Sequence, residues 1–433
     1  MSQAVTSWNR WPVFRDQTAI RLFDRAAALP DAGGHCIARG NGRSYSDVCL
    51  NDGGVLLDTR GLDRFIGFDP GTGVICCEAG VLLADIVRLA VPQGWFLPVT
   101  PGTLQVTVGG AIANDVHGKN HHVAGSFGRH VLRLALRRSD GELKTCGPDL
   151  EPAWFAATVG GLGLTGVILW AEIQLLAIAS EQMELQSTRF ASLDDFWAIN
   201  DEATGRWTYT VAWLDCLARS RGKAGRGWLH CGRHAAASAR GVGRPGRSRR
   251  VLFEPPLSLV NRASARVFNA LYYRAPRAAT AGGHFQPFFY PLDRIGDWNR
   301  LYGPRGFLQY QCVLPPSNAR QALPVILERI AASREAAFLG VLKTFGEFPA
   351  AGLLSFPRAG ATLAVDFPHR GERTLRLFRD LDRIVHDSGG ALYPAKDARM
   401  PATMFRAGYP RMEEFMRFVD PMMSSSFWRR VSD

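Results

Sequence analysis

Acidic residues are missing from one long stretch of this chain. Between Asp215 and Glu254 there is no Asp or Glu, while ten of the chain's 51 basic residues fall there. Outside it, 41 basic residues face 39 acidic ones, so the formal charge of +12 belongs to this segment. Its Gly, Arg, Ala and Ser composition predicts a basic, flexible loop over 219–250. Such a loop suits an anionic membrane surface or a phosphorylated ligand. It holds one aromatic residue, Trp228, which is a poor stacking platform, so no nucleic-acid partner is expected. Long apolar runs are also absent, and none approaches a membrane span. The first residues, "MSQAVTSWNRWPVFRD", lack the charged-then-apolar pattern of a signal peptide. The expectation is a cytoplasmic chain, with peripheral membrane contact through 219–250. The eight cysteines form no CxxC pair and no regular framework, which predicts reduced, mostly buried thiols. Two nucleotide motifs are missing too. "GGLGLTG" is not followed by Lys-Ser/Thr, as a Walker loop requires, and no strand-GxGxxG-helix unit precedes a suitably spaced acid.

What is present divides the 433 residues into parts. Up to about residue 178 the pattern is short strands and glycine turns: "GVLLDT", "GVICCEAG", a hairpin around Asp140-Gly141, and "TGVILWAEIQLLAI". One amphipathic helix, "VLLADIVRLAVPQG", ends at Gly94. Residues 179–388 alternate strands ("YTVAWLDCLA", "GFLQYQCVLP", "FLGVLKTFG", "ATLAVDFP") with the helices "NARQALPVILERIAAS" and "TLRLFRDLDRIVHDSGG". A tail, 389–433, begins with the strand-like "ALYPAKD" and continues in short helices.

Three stretches concentrate glycine where a backbone could approach a ligand closely: "ARGNGRSYSD", "TPGTLQVTVGGAIANDVHG" and "TVGGLGLTGVI". The second runs into "ANDVHGKNHHVAG", where His117, His121 and His122 could hold a metal, serve a metal-dependent hydrolase, or do no chemistry. Gly118 directly after His117 makes helical i, i+4 ligation doubtful, so no metal is expected. His117 is the catalytic candidate, and Lys119, Asn120, His121 and His122 are expected to hold the loop by hydrogen bonding.

Taken together and in this order, the three stretches resemble the FAD-binding half of the vanillyl-alcohol-oxidase-type flavoproteins. With "FYPLDRIGDWNRLYGPRGFLQYQ", "VDFP" and "LYPAKDAR" added, nearly the whole chain resembles the oxidase subunits of decaprenylphosphoryl-β-D-ribose 2′-epimerases. The resemblance implies an α+β fold: a two-part FAD-binding domain of PCMH type (1–178 and 389–433) and a substrate domain (179–388) on an antiparallel sheet with helices. It implies that Ala38, Arg39, Gly40, Asn41, Gly42, Arg43, Ser44, Tyr45, Ser46, Asp47 and Val48 wrap the cofactor. Gly102, Thr107, Val108, Gly109 and Gly110 would continue the cradle, with Asn114, Asp115, Val116 and His117 along the flavin ring. Ile168 and Tyr393 would complete the contacts. Covalent members often have histidine at the position of Arg43, so non-covalent FAD is expected. The implied reaction oxidises the 2′-hydroxyl of a polyprenyl-phosphoryl-β-D-ribose, with hydride passing to flavin N5 and a short-chain reductase completing the epimerisation. A soluble sugar, alditol or sugar-lactone oxidase of the same superfamily is the alternative. His117 and Lys396 are the polar candidates for proton removal, and their order stays open. Tyr45, Trp213, Tyr290, Gln309, Gln311, Lys343 and Lys396 match substrate-pocket positions. Where family members trapped by nitroaromatic inhibitors carry a cysteine before "VDFP", this chain has Ala364.

Overall fold

The computed structural model describes residues 5–220, 223–236, 249–277 and 280–432. Its largest element is an antiparallel sheet of eight strands. From one edge to the other these are Thr280–His284, Gln182–Phe190, Lys223–His234, Tyr209–Ser220, Gly340–Phe345, Gly360–Pro368, Phe307–Leu314 and Ala391–Leu392. A second antiparallel sheet orders Phe65–Asp69, Val74–Glu78, Val167–Gln174, Val131–Arg137 and Leu143–Cys146. A small parallel sheet of Gln17–Arg21, Gly54–Asp58 and Cys36–Arg39 completes the N-terminal half. The chain is therefore α+β, as the family resemblance implies.

Local rules account for most elements. The helix Leu83–Ala90 buries Leu83, Ile86, Val87 and Ala90, the i, i+3, i+4, i+7 face. It stops where Pro92 leads to Gly94 at φ 81°, a left-handed position that glycine tolerates. The helices Pro316–Ala332 and Glu372–Asp387 pack on each other and on the large sheet. Two further helices, Leu193–Thr204 and Arg262–Arg274, carry N-caps at Ser192 and Asn261 that the sequence reading did not use. The chain's end returns to the N-terminal half: Cys36 N–H donates to the Met422 carbonyl and Ser424 N–H to the Cys36 carbonyl.

The basic segment requires a correction. Residues Lys223–His234 are not a loop but an inner strand of the eight-stranded sheet. Arg226 pairs with buried Asp215 at 3.0 Å, Arg233 with Glu184 at 2.7 Å, and Arg250 with Asp297. Trp228 is buried and donates its indole N–H to the Tyr273 carbonyl at 3.1 Å. The composition misleads because Gly227 occupies an inward position: a Cβ there would lie 2.0 Å from the Trp213 carbonyl oxygen. Glycine is required by close packing, not by flexibility. The rest of the segment, 237–248, lies outside the described residues. All eight cysteines are free, six of them buried.

Candidate active site

The sheets enclose a cavity of about 1090 Å³. Small-molecule sites usually measure about 300–1,000 Å³, so this one has room for a cofactor and a substrate side by side. Its floor follows from strand register. Gln309 pairs opposite Asp366 and Gln311 opposite Ala364; Lys343 pairs opposite Thr362 and Val341 opposite Ala364; Trp213 pairs opposite Val341. Period-2 alternation puts all of these on one face of four adjacent strands, and all of them line the cavity.

One end is built from glycine. Ala38, Gly40, Asn41, Gly42, Arg43, Ser44, Tyr45 and Val48 line it, with Gly102, Thr107, Gly109, Gly110, Asn114, Val116 and Ile168. A Cβ on Gly40 would sit 2.2 Å from Thr107 Oγ1, so the two glycine loops touch only because this residue has no side chain. Thr107 Oγ1 caps the short helix Val108–Ala113 by accepting from Gly110 N–H at 3.2 Å. The Asn41 amide donates to the Gln105 carbonyl at 2.9 Å and ties the loops together. The Arg43 guanidinium lies 4.0 Å from the Trp8 ring centroid, and burial lowers its pKa.

The middle of the cavity is a buried polar cluster. Lys343 Nζ lies 3.0 Å from His117 Nδ1 and donates to the Gly118 carbonyl at 3.2 Å. The Gln311 amide nitrogen lies 2.9 Å from His117 Nε2. An ammonium can only donate, so with Lys343 charged Nδ1 accepts and Nε2 carries the ring proton. Gln311 then meets that proton through its amide oxygen, in the half-turned orientation of the same planar group. Burial and the neighbouring Lys343 charge hold the His117 pKa well below 6.5, so the ring is neutral. Burial lowers Lys343 to about 7, with Lys119 and Lys396 adding to the fall. The Lys396 ammonium rests 3.4 Å from the Tyr45 ring centroid. Its pKa is lowered by burial, and that of Asp366 is raised by burial. Gln309 donates to Asp366 Oδ1 at 2.5 Å. Tyr393 reaches over to give its hydroxyl hydrogen to the Asn114 carbonyl at 2.9 Å.

The far end is aromatic, with Trp213, Phe268, Tyr272, Phe288 and Phe338, together with His230 and Arg277. Several buried wall atoms have no hydrogen-bond partner: Arg43 Nε, Asn114 Oδ1, Trp213 Nε1, His230 Nε2, Arg277 Nε and the Tyr302 hydroxyl. Buried polar atoms left unpaired are costly, and their spread along the wall fits a long, polar-edged ligand. Of these, Arg43 Nε and Asn114 Oδ1 stand in the glycine cradle, and with it they fit an FAD.

Some expected site residues do not line the cavity. Arg39 turns away to donate to the Cys49 and Thr6 carbonyls. Ser46 bonds the Asp397 carbonyl, and Asp47 is buried in an ion pair with Arg430. Val108 is core, and Asp115 is fully buried, accepting from Gly128 N–H and from Ser355 Oγ at 2.6 Å. Tyr290 follows the short helix Phe285–Phe289 and points inward, its hydroxyl 2.8 Å from Thr100 Oγ1. Among the other histidines, His121 accepts from Gly346 N–H and His122 bonds the Trp207 carbonyl. Lys119 donates to the Phe289 carbonyl and Asn120 to that of Pro98. The three rings serve separate partners, and among the described residues no group of His, Cys, Asp and Glu stands close enough to hold a metal. The sequence reading passed over Asp366, although it lies in the quoted "VDFP" and alternates with Ala364 and Thr362.

Residues 24–147 match the FAD binding domain family, and the cradle and cavity make this chain an FAD-dependent oxidoreductase of PCMH type. The decaprenylphosphoryl-β-D-ribose oxidase of Mycolicibacterium smegmatis is 38% identical over 96% of this chain and 92% of its own length. The chain belongs to that oxidase family. An uncharacterised Streptomyces coelicolor protein from the mprA 5′ region is 34% identical over 81% of this chain and 100% of its own. Mouse L-gulonolactone oxidase is 30% identical but matches only 35% of this chain.

Proposed function

We propose that the chain oxidises the 2′-hydroxyl of a polyprenyl-phosphoryl-β-D-ribose to the 2′-keto sugar, the first half of an epimerisation to the arabinose form. The observation that carries this reading is the order of surfaces along one cavity. A glycine cradle for the cofactor meets a buried amide–amine–imidazole cluster suited to sugar hydroxyls, and then an aromatic end with cationic Arg277 and Lys119 for a lipid phosphate. The name of the Mycolicibacterium relative supports the same substrate class.

A secondary alcohol must lose a hydride and a proton. FAD, when bound, would supply the hydride acceptor, and Gly40–Tyr45, Gly102, Thr107, Gly109, Gly110 and Asn114 would hold it. Proton removal falls to Lys396: burial lowers its pKa, so its free amine is populated far below the ordinary lysine range. His117 has both ring nitrogens engaged, Nδ1 accepting from Lys343 and Nε2–H donating to Gln311, and so orients both side chains in the cavity. The FAD is taken as non-covalent, since Arg43, whose guanidinium stacks on Trp8, stands where covalent members often carry histidine. The keto sugar requires reduction from its other face, which assigns a short-chain reductase as partner. The lipid chain of the substrate places the chain peripherally at the inner face of a membrane.

Anaerobic bleaching of the bound flavin tests the reading. Polyprenyl-phosphoryl ribose is expected to bleach it, and free pentoses, alditols and sugar lactones are not. Bleaching by the free sugars alone would replace this reading with that of a soluble sugar oxidase.

A further inference from the structure

The mouth of the cavity carries a surface that the catalytic reading leaves unexplained. Large apolar side chains stand in the open along 252–271, the stretch that also supplies cavity-lining Val260 and Phe268: Leu252 is 81% exposed, Leu257 78% and Leu271 65%, and Phe253 and Val267 are exposed too. Soluble proteins scatter such residues singly, and a contiguous exposed patch marks an interaction site.

The helix Arg262–Arg274 shows that this exposure is built. It is firmly started by a reciprocal cap: the Asn261 side chain accepts from Ser264 N–H, and Ser264 Oγ accepts from Asn261 N–H. Its inner face buries Ala265 and Asn269, and Asn269 donates to Asp215 at 2.9 Å. Its outer face carries Ala263, Val267 and Leu271 at four-residue spacing, all exposed. An amphipathic helix normally points the opposite way.

Charge and position narrow the partner. From 249 to 277 the chain holds six arginines and a single acid, Glu254, which is paired with Arg10. Arg249, Arg266 and Arg274 are exposed around the apolar side chains. Apolar residues rimmed by arginine complement an anionic lipid surface. The patch is also continuous with the cavity: Phe268 and Ile295 line it while being 39% exposed, and Val260, Tyr272 and Arg277 line its wall behind them.

We propose that the 251–271 segment and the outer face of the Arg262–Arg274 helix form an anionic-membrane docking surface that seats the cavity mouth on the bilayer. This deepens the lipid-linked substrate reading and rests on it for purpose: a membrane-held substrate could then slide from the acyl layer past Phe268 into the aromatic end. It also moves the membrane contact from the basic segment 219–250 to the apolar rim beside it.

The test is vesicle co-sedimentation of the flavin-loaded protein without any substrate. Vesicles of phosphatidylcholine with phosphatidylglycerol are compared with phosphatidylcholine alone, for the parent and for Leu252→Ser/Leu257→Ser/Val267→Ser/Leu271→Ser. None of these four residues lines the cavity. The parent should pellet with the anionic vesicles, and less at high salt. The variant's partition should drop by about tenfold or more, with flavin spectrum and melting unchanged. The proposal is overturned if the parent stays in the supernatant, or if a correctly folded variant pellets like the parent. It is equally overturned if the parent is a lipid-free dimer that the four substitutions dissolve, since a second copy would then cover the patch. Should the variant lose its flavin or its melting transition, the salt- and phosphatidylglycerol-dependence of the parent decides the matter. Vesicle binding needs no sugar and flavin bleaching needs no vesicle, so each reading can fail alone.

Discussion

Lys119 offers a sharp test of how the cavity is charged. It is half-buried in the cavity wall, its ammonium donates to the Phe289 carbonyl at 2.8 Å, and it lies 5.4 and 5.5 Å from the Phe288 and Phe289 ring centroids. Burial alone lowers its pKa from 10.5 to about 7. A displacement of that size means the charged form is held at a cost of about 4–5 kcal/mol relative to the unfolded chain. The penalty is fully present below about pH 7, fades as pH rises toward 10.5, and is absent above that, where the amine is neutral in both states. Lys119→Met removes the penalty but leaves the Phe289 carbonyl without its donor, at about 1–3 kcal/mol. It also forfeits the ring contacts, roughly 1 kcal/mol. The variant should therefore be more stable than the parent by ~1–2 kcal/mol at pH 7 and less stable by about the same amount near pH 10. Urea unfolding of substrate-free holoprotein at both pH values measures this. A variant destabilised equally at pH 7 and pH 10 would refute the claim that the cavity holds an uncompensated cation. The functional counterpart is weaker binding of a phosphorylated substrate, seen as a raised KM with little change in kcat.

Four further outcomes follow from the site. With Lys396 as base, kcat/KM should rise with pH and level off well below the ordinary lysine value of 10.5, because burial depresses the folded pKa; Lys396→Met should abolish both the limb and turnover, and an unchanged profile in that variant would reassign the base. Gly40→Ala should drive a methyl into Thr107 Oγ1, 2.2 Å away, and lower FAD occupancy, read from the visible absorbance per chain. Arg430→Met strips the partner from buried Asp47 and should cost about 3–5 kcal/mol of stability, while the FAD affinity of the protein that remains folded stays near the parent's. Nitroaromatic inhibitors that trap cysteine-bearing relatives should bind reversibly here, with no mass adduct on the intact chain, and Ala364→Cys should restore one.

The strands of the cavity floor were legible singly but not jointly. Gln309 and Gln311 alternate in "GFLQYQCVLP", and Thr362, Ala364 and Asp366 alternate in "ATLAVDFP", so each strand announces which residues share a face. Nothing local says that Gln309 lies against Asp366 or Lys343 against Thr362; those pairings are settled by antiparallel register between distant segments. The same limit hides Asp47, whose partner Arg430 is 383 positions away. Composition can mislead as well: in "GRGWLHCGRH" the inward glycine contributes no apolar side chain, so an inner strand reads as a loop. Spacing misleads in the histidine cluster. His117 bridges Ser126 in extended backbone, Gly118 follows, and the short helix His121–Ala124 begins three residues later. The break in direction sends one ring to Lys343 and Gln311 and the other two to the Gly346 N–H and the Trp207 carbonyl. Neighbours in sequence thus divide between chemistry and scaffold, because the backbone between them turns. The apolar rim at the cavity mouth is the converse case: Ala263, Val267 and Leu271 recur every four residues, a spacing the sequence reading passed over, and only the fold reveals that they face outward.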